Sequence, residues 1–262
     1  EGSFHGRTIG SLAAGGPEKL ESFNTTVNGF KHIEFGNHEL LKKEINENTA
    51  AIIIEPIQGE GGIREVPSEY LKGIRKICDE NDILLIFDEV QCGVGRTGKM
   101  FAHEWSDTVP DIMTVAKAIG NGFPLGACLT SKTVGSTMDF GSHGSTYGGN
   151  PLASVVGNAV LDIMLEKNFF NNVDNVSKNL FAGLQLIQKD FPEVIELVRG
   201  KGLMLGIKCK VKNTDFVENA RTNKLLSVKA SDNVVRLMPP LILNIKECNE
   251  GLEKIRSTCE SF

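Results

Sequence analysis

Asp88 and Lys117 are the two residues whose types and spacing most suggest chemistry; they stand 29 residues apart. Asp88 closes the apolar run that starts at Ile83, and Lys117 directly follows the run Ile112–Ala116. If both runs are strands of one sheet, the two side chains stand at adjacent strand ends, where open α/β sheets place their ligands. A carboxylate and an amine in one crevice are the pair that a pyridoxal phosphate site requires. The lysine forms the Schiff base, and the carboxylate keeps the pyridine nitrogen protonated so that the ring accepts electrons. Spacing alone fits a surface lysine and a loop-capping aspartate better than it fits that site.

The same stretch imitates two nucleotide-binding motifs. Gly93 to Lys99 satisfies G-x-x-x-x-G-K, but Met100 stands where a Ser or Thr should bind magnesium, and the acid comes immediately before the motif. The glycines Gly93, Gly95 and Gly98 also spell G-x-G-x-x-G. A dinucleotide fingerprint needs that turn to open a long helix, whereas a short polar segment and Pro110 follow here. No serine fits the nucleophile elbow G-x-S-x-G. The five histidines and six cysteines are scattered without zinc-ligand spacing, so no metal site is expected, and the cysteines read as reduced thiols of a cytoplasmic protein.

Twenty-eight basic against thirty-three acidic side chains give a formal charge of −5, which offers no basic footprint for nucleic acid. No apolar run approaches the roughly 20 residues that span a membrane. At 262 residues and 40% hydrophobic, the chain can bury a sizeable core in one large or two ordinary domains. It opens on Glu1 rather than methionine, in a glycine-punctuated segment, so a fragment or processed chain is expected.

Four short runs, Ala51–Ile57, Ile83–Val90, Ile112–Ala116 and Ala127–Ser131, lack polar alternation and predict strands of a sheet covered on both faces. Between the first two, Leu71, Ile74, Ile77 and Cys78 fall at helical spacing over Ser68–Asn81, with Ser68 as cap. Strand, helix, strand predicts a mostly parallel α/β sheet. Helices are expected over Leu152–Glu166 and Asn172–Lys189, then a hairpin of Val194–Val198 and Leu203–Lys208. Val234–Leu243 reads as a strand near an edge or end because of Pro239 and Pro240, and Ile245–Cys259 as a closing helix. The boundary is placed near Asn168, with an α/β domain over 1–168 and a smaller α+β domain over 169–262.

Five segments in order carry a resemblance: Phe4 to Thr8, Glu55 to Gly62, Asp88 to Gly98, Pro110 to Gly126 and His143 to Pro151. Together they closely resemble the class III (subgroup II) pyridoxal-phosphate aminotransferases, a fold type I family. Val235 to Pro240 matches a last, shorter motif. Within the family the chain is most similar to acetylornithine and ornithine aminotransferases, with 4-aminobutyrate aminotransferases sharing the motifs. The resemblance implies pyridoxal 5′-phosphate as cofactor and transfer of an ω-amino group to 2-oxoglutarate, with arginine or lysine biosynthesis as the setting.

It also implies roles. Lys117 carries the cofactor aldehyde and shuttles the proton; Asp88 bonds the pyridine nitrogen; Val90 and Phe4 flank the ring; Gln91 reaches its phenolic oxygen. Arg236 is expected to hold an α-carboxylate and Arg7 a carboxylate of the ω-amino substrate, since a guanidinium fork matches a carboxylate. Glu60 pairs with Arg236 when the ω-amine donor is bound, removing a charge that would attract the wrong end of the substrate. Thr146 lies in a loop that reaches the partner's cofactor phosphate in a homodimer with shared active sites, and its neighbour Ser145 is expected to bind substrate. One family feature has no counterpart: the Ser-Gly-x-Glu-Ala loop that binds phosphate at a helix N-terminus. The resemblance therefore implies an N-terminally truncated large domain with weak cofactor retention by this chain alone, and leaves open an inactive remnant.

Overall fold

The computed structural model describes residues 1–262. Two short helices, α1 (Ile9–Gly15) and α2 (His38–Glu44), precede strand β1 (Ala51–Ile54) and a two-stranded ribbon, β2 (Ile57–Gln58) with β3 (Arg64–Glu65). Helix α3 (Ser68–Asn81) leads into β4 (Leu84–Asp88), then β5 (Ile112–Val115), β6 (Ala127–Thr130), a one-turn α4 (Lys132–Gly135) and α5 (Pro151–Met164). The C-terminal region contains α6 (Phe169–Asp190), the hairpin β7 (Ile195–Lys201) and β8 (Met204–Cys209), α7 (Asn213–Thr222), β9 (Val228–Ala230), β10 (Val234–Leu237) and α8 (Ile245–Cys259).

The first sheet has the order β1-β4-β5-β6; β4 pairs in parallel with both β1 and β5, and β6 runs antiparallel to β5. Register aligns Asp88 with Thr114, so the ends of β4 and β5 are level and Lys117 lies three residues past that rung. Helix α3 buries Leu71, Ile74, Ile77 and Cys78 against Leu85 and Phe87 of β4. That packing anchors the strand carrying Asp88. The second sheet is antiparallel, in the order β7-β8-β10-β9. Its core is one cluster of 18 buried residues drawn from positions 173 to 259.

Several details differ from the pattern-based expectations. The run 51–57 splits, because Glu55 and Pro56 interrupt it before β2 begins. Ser68 is the first helical residue of α3; Pro67 takes the N-cap position, and no side chain caps the helix. The first sheet is not covered on both faces: β6 is exposed along its length and β1 is only half-buried. Strand β10 ends at Leu237, so the prolines lie just past a strand end, one of the two expected positions, while the strand itself lies inside its sheet rather than at an edge. Helix α6 starts three residues earlier than periodicity indicated, and α7 and β9 were not foreseen. No helix is long and apolar enough to cross a membrane. The six cysteines are free thiols, five of them buried.

Candidate active site

Asp88 is the last residue of β4 and is 5% exposed. A buried carboxylate needs partners, and two are supplied. The Val90 N–H donates to Oδ1 at 2.9 Å, and His5 Nδ1 lies 2.7 Å from Oδ2, where a carboxylate makes the ring nitrogen the donor. His5 Nε2 is buried and has no partner. The next residue, Glu89, is fully buried and accepts from the backbone N–H groups of Ala102 (2.7 Å) and His103 (2.8 Å) and from the His103 ring (2.9 Å). Glu89 thus folds the 102–103 turn back onto the strand end. The loop between them packs Cys92 and Val94 into the interior.

Phe4 is held from behind by Glu55, whose carboxyl accepts the Phe4 N–H at 2.9 Å and the Gly59 N–H at 3.1 Å. Burial pushes the Glu55 pKa up to about 7, partly offset by these two donors. Glu55 therefore joins the Phe4–Thr8 segment to the turn that carries Glu60. A Cβ at Gly59 would overlap the Gln91 amide where it stands, so a side chain there would have to push Gln91 off Arg236.

Gln91 and Glu60 meet across the chain at Arg236. Arg236 Nη1 donates to Glu60 Oε1 at 2.6 Å and to Gln91 Oε1 at 2.9 Å, while its Nε is buried without a partner. One guanidinium from the second sheet thus touches a residue three positions after Asp88, and part of its fork is unused. Lys117 lies just beyond β5, opening a single 3₁₀ turn in the left-handed region (φ 48°). Val94, a β-branched residue, is likewise left-handed (φ 52°). Such conformations persist where surrounding structure imposes them and are common at functional sites. Both line a cleft of about 740 Å³ with Gln91, Arg96, Phe123 and Met238.

Asp88, Val90, Gln91, Glu60 and Arg236 therefore form one connected group, with Phe4 joined to it through His5 and Glu55 and with Lys117 facing the same cleft as Gln91. Arg7 is elsewhere: it is exposed, with its guanidinium 5.4 Å from the Phe4 ring centroid. Ser145 and Thr146 lie on an exposed loop, and the Ser145 hydroxyl accepts the Gly148 N–H at 2.9 Å within that loop. His5, Glu55, Glu89 and Arg96 escaped the sequence reading as site components, although all four sit inside the quoted motifs. A polar residue next to a strand-end acid was the available signal.

An acid, an exposed lysine and a guanidinium gathered at one edge of an α/β sheet have counterparts among known enzymes. The family model for Aminotransferase class-III matches residues 1–259, and the chain belongs to that family. It is 52% identical over 258 residues to an acetylornithine aminotransferase of Mesorhizobium japonicum, covering 98% of this chain and 65% of that protein. It is also 52% identical over 263 residues to the acetylornithine aminotransferase of Agrobacterium fabrum, covering 100% of this chain and 66% of that one. The chain thus spans about two thirds of the length of these relatives. Among solved structures, the N-acetylornithine aminotransferase of Stenotrophomonas maltophilia superposes with a TM-score of 0.82 at 37% identity, covering 91% of this chain and 64% of that one. A Toxoplasma gondii ornithine aminotransferase, described with PLP at its active site, superposes at 0.92 and 28% identity over 100% of this chain and 63% of that one.

Proposed function

We propose that this chain forms the greater part of a pyridoxal-phosphate-dependent aminotransferase that moves the ω-amino group of N-acetylornithine to 2-oxoglutarate, giving the semialdehyde and glutamate. The observation that carries this reading is the Arg236–Glu60 pair at 2.6 Å beside Gln91. A guanidinium that can be neutralised in place suits a site that must accept a dicarboxylate in one half-reaction and an ω-amine in the other. Ornithine is the second substrate reading, favoured by the 0.92 superposition on the Toxoplasma gondii enzyme.

The residues present suit the cofactor. Asp88 is buried, fixed by His5 and Val90, and level with the strand end that precedes Lys117. When bound, pyridoxal phosphate supplies an electron sink for the electron pair released as the amine-bearing carbon of the substrate loses its proton, the terminal carbon in the ω-amine donor and the α-carbon in glutamate. Asp88 would hold a proton on the pyridine nitrogen, and His5 would keep the carboxylate oriented. Lys117 would hold the cofactor covalently between turnovers and move the proton at the substrate carbon. Val90 and Phe4 would flank the ring, and Gln91 would face its phenolic oxygen. Arg236 would orient the 2-oxoglutarate carboxylate through its fork, and Arg7 a carboxylate of the ω-amino substrate.

The partner reading is a homodimer with shared sites. It is supported by the exposure of the Ser145–Thr146 loop and of Phe140, Tyr147, Leu152 and Val155 around it. A cytoplasmic location is supported by six unpaired cysteines. Half-reactions of the reconstituted protein with acetylornithine, ornithine and 4-aminobutyrate, followed through the cofactor absorption band, test the substrate. Acetylornithine should react with the highest efficiency, and no preference for it over 4-aminobutyrate would sink this reading. In the same assay Glu60→Ala should shift preference from ω-amine donor toward glutamate.

A further inference from the structure

Arg96 has contacts that the reading above does not use. It lies on the loop after β4, eight residues past Asp88, and its guanidinium is largely buried with no carboxylate partner. Burial pushes its pKa down to about 10, so the group stays cationic at neutral pH. Burying an uncompensated charge is costly, and carbonyl dipoles must offset that cost. Nη1 donates to the carbonyl of Pro239 at 2.5 Å and to that of Leu203 at 3.2 Å, while the Leu203 N–H donates back to the Arg96 carbonyl at 3.0 Å.

The two acceptors occupy matching places. Leu203 immediately precedes β8, and Pro239 lies two residues past the end of β10. These strands run antiparallel with Arg236 opposite Gly206 and Leu237 opposite Leu205, so both carbonyls lie at the same end of the pair. Pro239 follows Arg236 by three residues. The adjoining contact is close as well: Gly202 sits at φ 60°, and a Cβ there would run into the Thr97 backbone.

We propose that Arg96 is a positioning residue that clasps this end of the β8–β10 pair and so sets where Arg236 stands relative to Gln91 and the Asp88 strand end. The inference rests on the reading of Arg236 as a carboxylate binder for its functional consequence, but not for the clasp itself. Two hydrogen bonds from one nitrogen, with a backbone bond returning, define both the distance and the angle of approach. Strand β10 contributes only four residues; its end is otherwise held by sheet pairing and by the packing of Leu237 and Met238, neither of which fixes the Pro239 backbone by a hydrogen bond to the Asp88 loop.

The test uses the whole chain and four variants: Arg96→Met, Arg96→Lys, Gly202→Ala and Arg236→Lys. Backbone amide exchange at Leu203 and Val235–Leu237 reports the clasp. Calorimetric binding of glutarate, a dicarboxylate of the 2-oxoglutarate class, reports Arg236. Arg96→Met should raise exchange at these amides at least tenfold and weaken glutarate binding at least tenfold. Arg96→Lys, which keeps the charge and can reach one carbonyl, should fall between it and the wild type. Gly202→Ala should loosen the same amides without altering any charge, which keeps the test decisive if Arg96→Met fails to fold. Exchange and glutarate affinity within twofold of wild type in Arg96→Met, or unchanged exchange in Gly202→Ala, would overturn the clasp. If Arg236→Lys binds glutarate as the wild type does, or the wild type does not bind it, the reading of Arg236 fails, and exchange alone then decides Arg96.

Discussion

The C-terminal region and the region before it solve the burial problem differently. From Val173 to Cys259, helices α6, α7 and α8 and the second sheet share one cluster of 18 buried residues, including Leu184, Ile207 and Phe216 at 0% exposure. Before that, the buried residues fall into separate clusters of nine, six, four and three, and the six-residue cluster borrows Met204 and Val234 from the other side. Strand β6 is exposed along its length. The region richest in site residues is thus the one whose core is divided. A strand end that must present Asp88 and Lys117 to a cleft cannot also be sealed beneath a continuous apolar layer, and loops with left-handed residues such as Val94 cost stability where they occur. The C-terminal region supplies Arg236 and one wall of the cleft, including Met238, and packs the rest of its apolar residues into its own core.

The largest effect should come from separating chemistry from stability in the first region. Lys117→Ala should abolish covalent cofactor attachment, seen as loss of the mass increment after borohydride reduction, while leaving the thermal midpoint within a few degrees, because the side chain is exposed. A reducible adduct surviving in that variant would relocate the lysine. The converse experiment is Phe216→Ala in the shared core. It should cost about 3–5 kcal/mol by denaturant unfolding, the range for removing a fully buried ring. A loss under 1 kcal/mol would mean that the large cluster is less cooperative than its continuity implies.

Glu55 gives an intermediate effect with a definite sign. The folded state holds its proton up to about pH 7, whereas the unfolded chain releases it near 4.5. The folded state therefore binds more protons in that interval, and the contribution of Glu55 to stability is fully present below about pH 4.5 and is lost as pH rises through about 7. From pH 5 to pH 8 this group alone should account for a loss of roughly 2–3 kcal/mol. Glu55→Gln should flatten that slope, at the expense of leaving the Phe4 or Gly59 N–H short of an acceptor. An unchanged slope in the variant would assign the titration to another group. The smallest effect is expected at β6: Leu129→Ala, at 43% exposure, should change the stability of the isolated chain by less than about 1 kcal/mol. A larger loss under conditions where the protein self-associates would show that this surface is covered in the assembly.

Much of this was legible in one dimension. The helices Ser68–Asn81 and Ile245–Cys259 follow their apolar periodicity, since each buries one stripe against a sheet or helix; the second is also capped locally by Asn244 and Glu247, whereas the first starts at Ser68 without a side-chain cap. The short strands before Asp88 and Lys117 were recognisable for the same reason. Strand β9 and helix α7 were not, because Val228–Ala230 is a three-residue strand that exists only through pairing with β10, and α7 buries just Phe216 and Ala220. In the site, the motif residues were evident, but the tie between them was not: nothing in the order of residues says that Glu55 accepts from Phe4, 51 positions away, or that Arg96 reaches Pro239, 143 positions away.

Taken by itself, the amino-acid sequence determined the residue types, the helices with strong periodicity and the adjacency of Asp88 to a buried strand. Those properties depend on neighbours within a few turns, where spacing and chemistry coincide. Only the tertiary structure decided that Arg236 meets Glu60 and Gln91, that His5 faces Asp88, that Arg7 lies against Phe4, and that β10 sits inside its sheet. Contacts of that separation are selected by the packing of two sheets and the burial of charged groups that must find partners. Those are properties of the folded whole, not of any segment.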